Sequence, residues 1–215
     1  MTLDNNGDAT IDAELSDRHS VVQIDQIELK DLDVTTDAGG IEVKNTTGNN
    51  TIGGIMNLTS TSGNITANNN TVTGLTTITT AGNITSGNNT YGTLNIISNS
   101  TDTEGYIKST NDTITGADYG TPVVASTVFN ATNGASVTID NITTEQGSLS
   151  VTTKDGGITI SNSNTDPSVS NNIYGNMTLT SDSGAINVSR TKVGGYMNLE
   201  STSGGNITAN NNTVT

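Results

Sequence analysis

One stretch of this chain occurs twice almost letter for letter. Gly54-Ile55-Met56-Asn57-Leu58-Thr59-Ser60-Thr61-Ser62-Gly63-Asn64-Ile65-Thr66-Ala67-Asn68-Asn69-Asn70-Thr71-Val72-Thr73 returns as residues 195–215, with one inserted glycine. Inside it runs a finer period of about 20 residues. Gly63-Asn64-Ile65-Thr66 reappears as Gly82-Asn83-Ile84-Thr85, Met177 as Met197, and Leu75 as Leu94. A unit this short cannot bury an apolar face alone and must stack on its neighbours, so the repeat restricts the chain to a solenoid or a related array.

Each fine unit holds two short alternating runs, such as Met56-Asn57-Leu58-Thr59 and Asn64-Ile65-Thr66, separated by Ser/Gly or Asn/Gly clusters. A period of two sends Met56, Leu58 and Ile65 to one face and Asn57, Thr59, Asn64 and Thr66 to the other, so each run reads as a half-buried strand. Composition agrees. Asn (30), Thr (41), Ser (21) and Gly (24) make 116 of 215 residues, all poor in helix interiors, and only 30% of the chain is apolar. Parallel coils around a thin aliphatic column reconcile so little apolar matter with a folded state. The fold expected is all-β: a right-handed parallel β-helix with coils of about 20 residues, roughly eleven of them, and a rod on the order of 50 Å long at the usual strand spacing. Seven fine units are expected between the two long copies, with Leu75 superposed on Leu94.

Residues 1–45 carry eleven Asp or Glu against three Lys or Arg. Val22-Gln23-Ile24, Ile27-Glu28-Leu29, Leu32-Asp33-Val34 and Ile41-Glu42-Val43 keep the strand period, so 1–45 reads as acidic coils continuous with the Asn/Thr-rich coils of 46–215. Protruding loops are expected near 101–134, around Asp118-Tyr119-Gly120-Thr121-Pro122, and at 162–172, which includes Pro167. The second long copy stops at Thr215, inside a unit, which reads as part of a longer array with no polar cap visible.

Runs such as Gly63-Asn64-Ile65-Thr66-Ala67, Gly82-Asn83-Ile84-Thr85-Ser86 and Gly156-Gly157-Ile158-Thr159-Ile160 resemble the repeats of filamentous-haemagglutinin-like exoproteins. The Asn/Thr-rich character is most similar to that group's high-molecular-weight adhesins. The resemblance spans most of residues 40–215 and is one of repeat style. It implies export to the cell surface, a role as an adhesin shaft, and glycosylation at Asn-x-Ser/Thr sites.

Fifteen such sequons begin at Asn45, Asn49, Asn57, Asn64, Asn69, Asn83, Asn88, Asn99, Asn111, Asn130, Asn141, Asn176, Asn187, Asn206 and Asn211, and fourteen end in Thr. Part of this follows from strand geometry, since an inward Ile flanked by outward Asn and Thr writes Asn-Ile-Thr unaided. Stacked Asn at turns are expected to bond to one another in ladders along the rod. Ice binding would want Thr-x-Thr on successive coils, and the outward pairs vary instead.

Other chemistries find less support. A net charge of −14 with only seven Lys and Arg is unsuited to nucleic acid. No apolar run approaches the length of a membrane span, and the first residues lack the pattern of a signal peptide. Cysteine is absent, and His19, beside Arg18, is the sole imidazole, so thiolate, zinc and His-based nucleophilic sites have no material. The one dense acidic group, Asp25, Asp31, Asp33 and Asp37, could serve calcium at Asp31, Asp33 and Asp37, or a polysaccharide-cleaving pair, but solvated charge is the plainer reading.

The expectation is therefore a non-enzymatic, extracellular adhesin shaft without cofactors, metal or membrane insertion. Its partners would be a host or neighbouring-cell receptor or glycan, or further copies end to end. A self-assembling filament or sheath subunit is the alternative, and a polysaccharide-acting β-helix enzyme the third.

Overall fold

The computed structural model describes residues 2–3, 7–15, 17, 19–116, 126–166 and 168–215. The strand period of the sequence becomes a parallel β-solenoid of nine turns, each turn placing one strand on each of three faces, and no helix occurs among the described residues. Face A is formed in turn order by Ala9–Ala13, Leu32–Thr36, Met56–Ser60, the second halves of Asn70–Thr80 and Thr90–Ser98, Ser126–Ala131, Ser148–Thr153, Met177–Ser181 and Met197–Ser201. Face B runs from Val21–Ile24 through Gly40–Lys44, Ile65–Asn68, Ile84–Gly87, Tyr106–Thr110, Ser136–Asp140, Ile158–Ser161 and Ile186–Ser189 to Ile207–Asn210. The short face C holds Glu28–Leu29, Asn50–Ile52, the first halves of Asn70–Thr80 and Thr90–Ser98, Thr113–Ile114, Thr143–Thr144, Asn171–Ile173, Thr191–Val193 and Thr213–Val214.

Nine turns rather than eleven give a rod of about 40 Å at a strand spacing near 4.8 Å. The two long copies lie in turns 3 and 9, six turns apart rather than seven, because several turns are enlarged beyond the basic period. The enlargement is plain where Ile96 stacks on Phe129 and Ile107 on Val137. The glycine inserted in the second copy is Gly204, with φ +96°. Gly205 then takes the place of Gly63: a Cβ on either would meet the carbonyl of the glycine one turn below, at 2.2 and 2.1 Å.

The aliphatic side chains of the three faces meet on a common axis. Val34, Leu58, Ile78, Ile96, Phe129, Val151 and Leu179 form one fully buried file, and Ile41, Ile65, Ile84, Ile107, Val137, Ile158 and Ile186 another. The expected superposition of Leu75 on Leu94 fails. Between Val72 and Leu75 the pairing slips by a β-bulge, so Leu75 stands beside Thr93 and Leu94 beside Thr76. The corner there has one more residue than its counterpart, and in a strand one residue reverses every side chain. Leu75 is accordingly 37% exposed and Thr76 is buried in the column of Met56 and Leu94.

The acidic segment supplies turns 1 and 2 of the same stack. Thr2–Leu3 pairs antiparallel with Thr10 and Ala9, covering the outer edge of the first face A strand, a cap that the repeat pattern did not reveal. Asp118–Pro122 and Pro167 lie outside the described residues. Residues 99–105 leave the rod between faces A and B of turn 5, and 162–166 with 168–170 leave it between faces B and C of turn 7.

Candidate functional site

A rod of this kind offers its environment three outer faces and three corners. On face A the outward residues of turns 2 to 4 are Asp33, Asn57 and Thr77, with Thr35, Thr59 and Thr79 beside them; later turns bring Ile97, Asn130 and Glu200 into the latter row. The surface is polar but not a regular Thr-x-Thr lattice.

The corner between faces A and B is built from a hydroxyl residue two or three positions before a glycine. Thr36 Oγ1 donates to the Gly39 carbonyl at 2.6 Å, Thr80 Oγ1 to Gly63 at 2.5 Å and Thr153 Oγ1 to Gly156 at 2.6 Å, while Gly63 N donates to Ser60 Oγ at 2.8 Å. The hydroxyls satisfy carbonyls that the turn takes out of the ladder.

The corner between faces B and C turns on two consecutive residues: Asn69-Asn70, Asn88-Asn89, Asn111-Asp112, Asn141-Ile142 and Asn211-Asn212. The first member adopts the left-handed backbone (Asn69, Asn88, Asn111, Asn141 and Asn211, with φ from 54° to 57°), which Asn tolerates better than most residues. Its side chain faces outward, and an outer ladder runs from Asn162 Nδ2 to Asn141 Oδ1 (3.1 Å), Asn141 Nδ2 to Asn111 Oδ1 (2.7 Å) and Asn111 Nδ2 to Asn88 Oδ1 (3.1 Å). The second member points inward, and at this inner position Asn50, Asn70, Asn89 and Asp112 form a separate buried ladder.

The fifteen sequon asparagines are thus dispersed. Asn57, Asn130 and Asn187 lie on outward strand positions; Asn64, Asn83, Asn99 and Asn206 belong to the A/B corner; Asn69, Asn88, Asn111, Asn141 and Asn211 are the left-handed corner residues. Asn45 and Asn49 lie at the B/C corner of turn 2, and Asn176 at the corner leading into Met177. Fourteen are at least partly accessible. Asn45 is buried, its Oδ1 accepting from the N–H groups of Thr47 and Gly48 at 3.0 Å each.

The acidic cluster does not assemble. Asp31 accepts from Ile55 N at 2.7 Å and pairs with Lys30, which also reaches Asp8 at 3.3 Å, whereas Asp25, Asp33 and Asp37 point into solvent at different places. Among the described residues no group of three or more His, Asp or Glu could hold a metal ion. His19 is exposed and bonds to Asp17 at 2.9 Å; Arg18 lies outside the described residues.

Residues 9–104 match the family model described as Toastrack DUF4097. No curated protein and no solved structure matches the chain. The Toastrack match covers turns 1 to 4 and runs into the loop of turn 5, the part with the most regular turn length. Hollows along this segment are shallow. A polar notch of about 330 Å³ lies against Ser62, Asn64, Asn83 and Asp102, and an apolar one of about 420 Å³ against Ile11, Ile24, Ile27 and Leu29. No helix among the described residues is long and apolar enough to cross a membrane.

Three features escaped the sequence reading. The left-handed backbone goes with an Asn-Asn dipeptide at Asn69, Asn88 and Asn211, but Asn111 precedes Asp112, Asn141 precedes Ile142, and Asn49-Asn50 carries no left-handed residue, so the dipeptide was only a partial signal. The guanidinium of Arg190, itself at φ 51°, donates to the carbonyls of Asn162 (2.8 Å), Asn164 (2.6 Å), Asp166 and Val169 (2.9 Å), so one side chain holds the turn 7 loop. Asp112 is buried, and no local signal separates it from a surface Asp.

Proposed function

We propose that this chain is the shaft of a cell-surface or secreted adhesin, a non-enzymatic spacer whose useful properties are length, resistance to unfolding and low adhesiveness. The observation that carries this reading is the distribution of chemistry over a nine-turn rod: aliphatic residues line the axis, and the outer faces are Asn and Thr under a net charge of −14. Such a surface keeps rods apart and in solution. The accessible sequons are consistent with export to a glycosylating environment and with the style of the high-molecular-weight adhesins. The partner is a receptor or glycan on a neighbouring cell, engaged elsewhere on the assembled adhesin.

Electron microscopy of purified protein tests this directly. Single rods are expected; indefinite end-to-end fibres would replace the shaft with a filament or sheath subunit. Intact-mass measurement on protein from its native source is expected to show hexose or larger glycan increments, whereas a mass matching 22.0 kDa would remove glycosylation from the proposal. Cleavage of oligosaccharides, with or without calcium, would turn the assignment to an enzyme.

A further inference from the structure

At the corner between faces B and C, the inward position of turns 2 to 6 reads Asn50, Asn70, Asn89, Asp112 and Ile142. The amides all donate in one direction: Asn50 Nδ2 to Asn70 Oδ1 at 2.8 Å, Asn70 Nδ2 to Asn89 Oδ1 at 2.9 Å, and Asn89 Nδ2 to Asp112 Oδ1 at 3.0 Å. Asn89 N adds a bond to the same Asp112 oxygen at 3.0 Å. A row of donors pointing one way needs an acceptor at its end, and an ionised carboxylate, which only accepts, can take several donors there at once. The other oxygen, Oδ2, takes the hydroxyls of Ser86 and Ser109 at 2.7 Å each. Those two serines occupy the inward file that holds Val43, Ala67 and Ile139 in neighbouring turns, so the core turns polar just around the acid.

We propose that Asp112 is the register pin of the solenoid, fixing which residues of adjacent turns stack. In a chain of near-identical turns, sliding a strand by two residues replaces one aliphatic contact with another and is weakly opposed by packing. Such a slide would strip the buried carboxylate of donors that only the native stack provides, which is far costlier than a mismatched aliphatic pair. Buried polar groups set register in coiled coils by the same logic.

The groups facing Asp112 are Ser86 and Ser109 from face B, Asn89 from its own corner, and Tyr91 from face C, with Ile142 at the same position in the next turn. Only Tyr91 titrates among them, and burial raises its phenol well above the usual range, so it stays neutral. Lys108 and Asp140 lie at outward positions of their strands. Burial raises the Asp112 carboxyl above the ordinary aspartate value, against the four hydrogen bonds, which lower it. The folded chain therefore binds this proton more readily than the unfolded one. Stability from this site rises as pH falls through the folded value and levels off below the unfolded one, near 3.9.

The absence of cysteine makes the test clean. Thr85 and Lys108 are paired across turns 4 and 5, so Thr85→Cys with Lys108→Cys reports the native register, and Thr85→Cys with Thr110→Cys reports a two-residue slide. With Asp112 intact, refolding and oxidation should yield the first disulfide and almost none of the second. Asp112→Asn should raise the slid product severalfold, and Asp112→Val further; if the valine variant does not fold, the asparagine variant decides. An unchanged slid fraction in folded Asp112→Asn overturns the pin. On lowering pH from 7 toward 4, the wild-type denaturant midpoint should rise relative to that of Asp112→Asn; parallel curves overturn the cost assigned to the charge.

Discussion

Thr76 and Thr127 show how far one residue can carry a strand from its expected face. Both hydroxyls are buried without a hydrogen-bond partner, in the file that otherwise holds Met56, Leu94, Leu149 and Met177. Alternation was legible along every strand, but the number of residues spent at a corner was not, and that number decided that Leu75 faces solvent and Thr76 the core. Replacing a stranded hydroxyl with a methyl of nearly the same shape removes its desolvation cost. Thr76→Val and Thr127→Val should each stabilise the rod by about 1 kcal/mol, seen as a higher urea midpoint at unchanged slope. The glycines divide in the same way by position. Gly63→Ala forces a methyl against the Gly39 carbonyl and should cost about 3 kcal/mol, whereas Gly48→Ala, with nothing within 4 Å of its Cβ, should lie within about 1 kcal/mol of wild type.

Among the elements, strands declared themselves through period two, and the Asn-Asn and Ser/Thr-x-x-Gly punctuation marked two of the three corners. The loops were visible only as losses of period, because their order comes from contacts that no local pattern encodes. Arg190 is the case in point: its sequence neighbours form a face B strand and a face C strand, yet its guanidinium serves four carbonyls 21 to 28 residues earlier. Hydrogen bonds from Ser168, together with the Arg190 charge, also hold the exposed Asp166 carboxyl below its ordinary value. Arg190→Asn keeps a residue that tolerates the left-handed backbone and removes the clamp. An endoproteinase cutting before aspartate should then cleave at Asp166 severalfold faster, while the urea midpoint of the rod moves little. Equal cleavage rates would mean that the loop is ordered by its own Asx turns, such as Asn164 Oδ1 with Asp166 N at 3.0 Å.

At the scale of the whole molecule, the file of stacked aliphatics makes the rod nearly one-dimensional: each turn contacts only the turns beside it, and stability is close to a sum over turns and interfaces. This permits a deletion that a globular core would not survive. Removing residues 65–83 joins Asn64 to Ile84 and excises one complete turn. Leu94 is left to stack on Met56 and Asn89 on Asn50; the native stack already pairs Leu with Met at Leu32 and Met56 and at Leu149 and Met177, and Asn with Asn at Asn50 and Asn70. The shortened chain should fold with an unchanged far-ultraviolet spectrum. Small-angle scattering should find it shorter by about 5 Å, one strand spacing, and its denaturant slope should fall in proportion to the surface removed. The deletion also takes out the bulge and Thr76, so it should lose less stability than an average turn contributes. A chain that instead unfolds would show that turns 3 and 4 are coupled to more than their neighbours, and that the rod behaves as one cooperative domain.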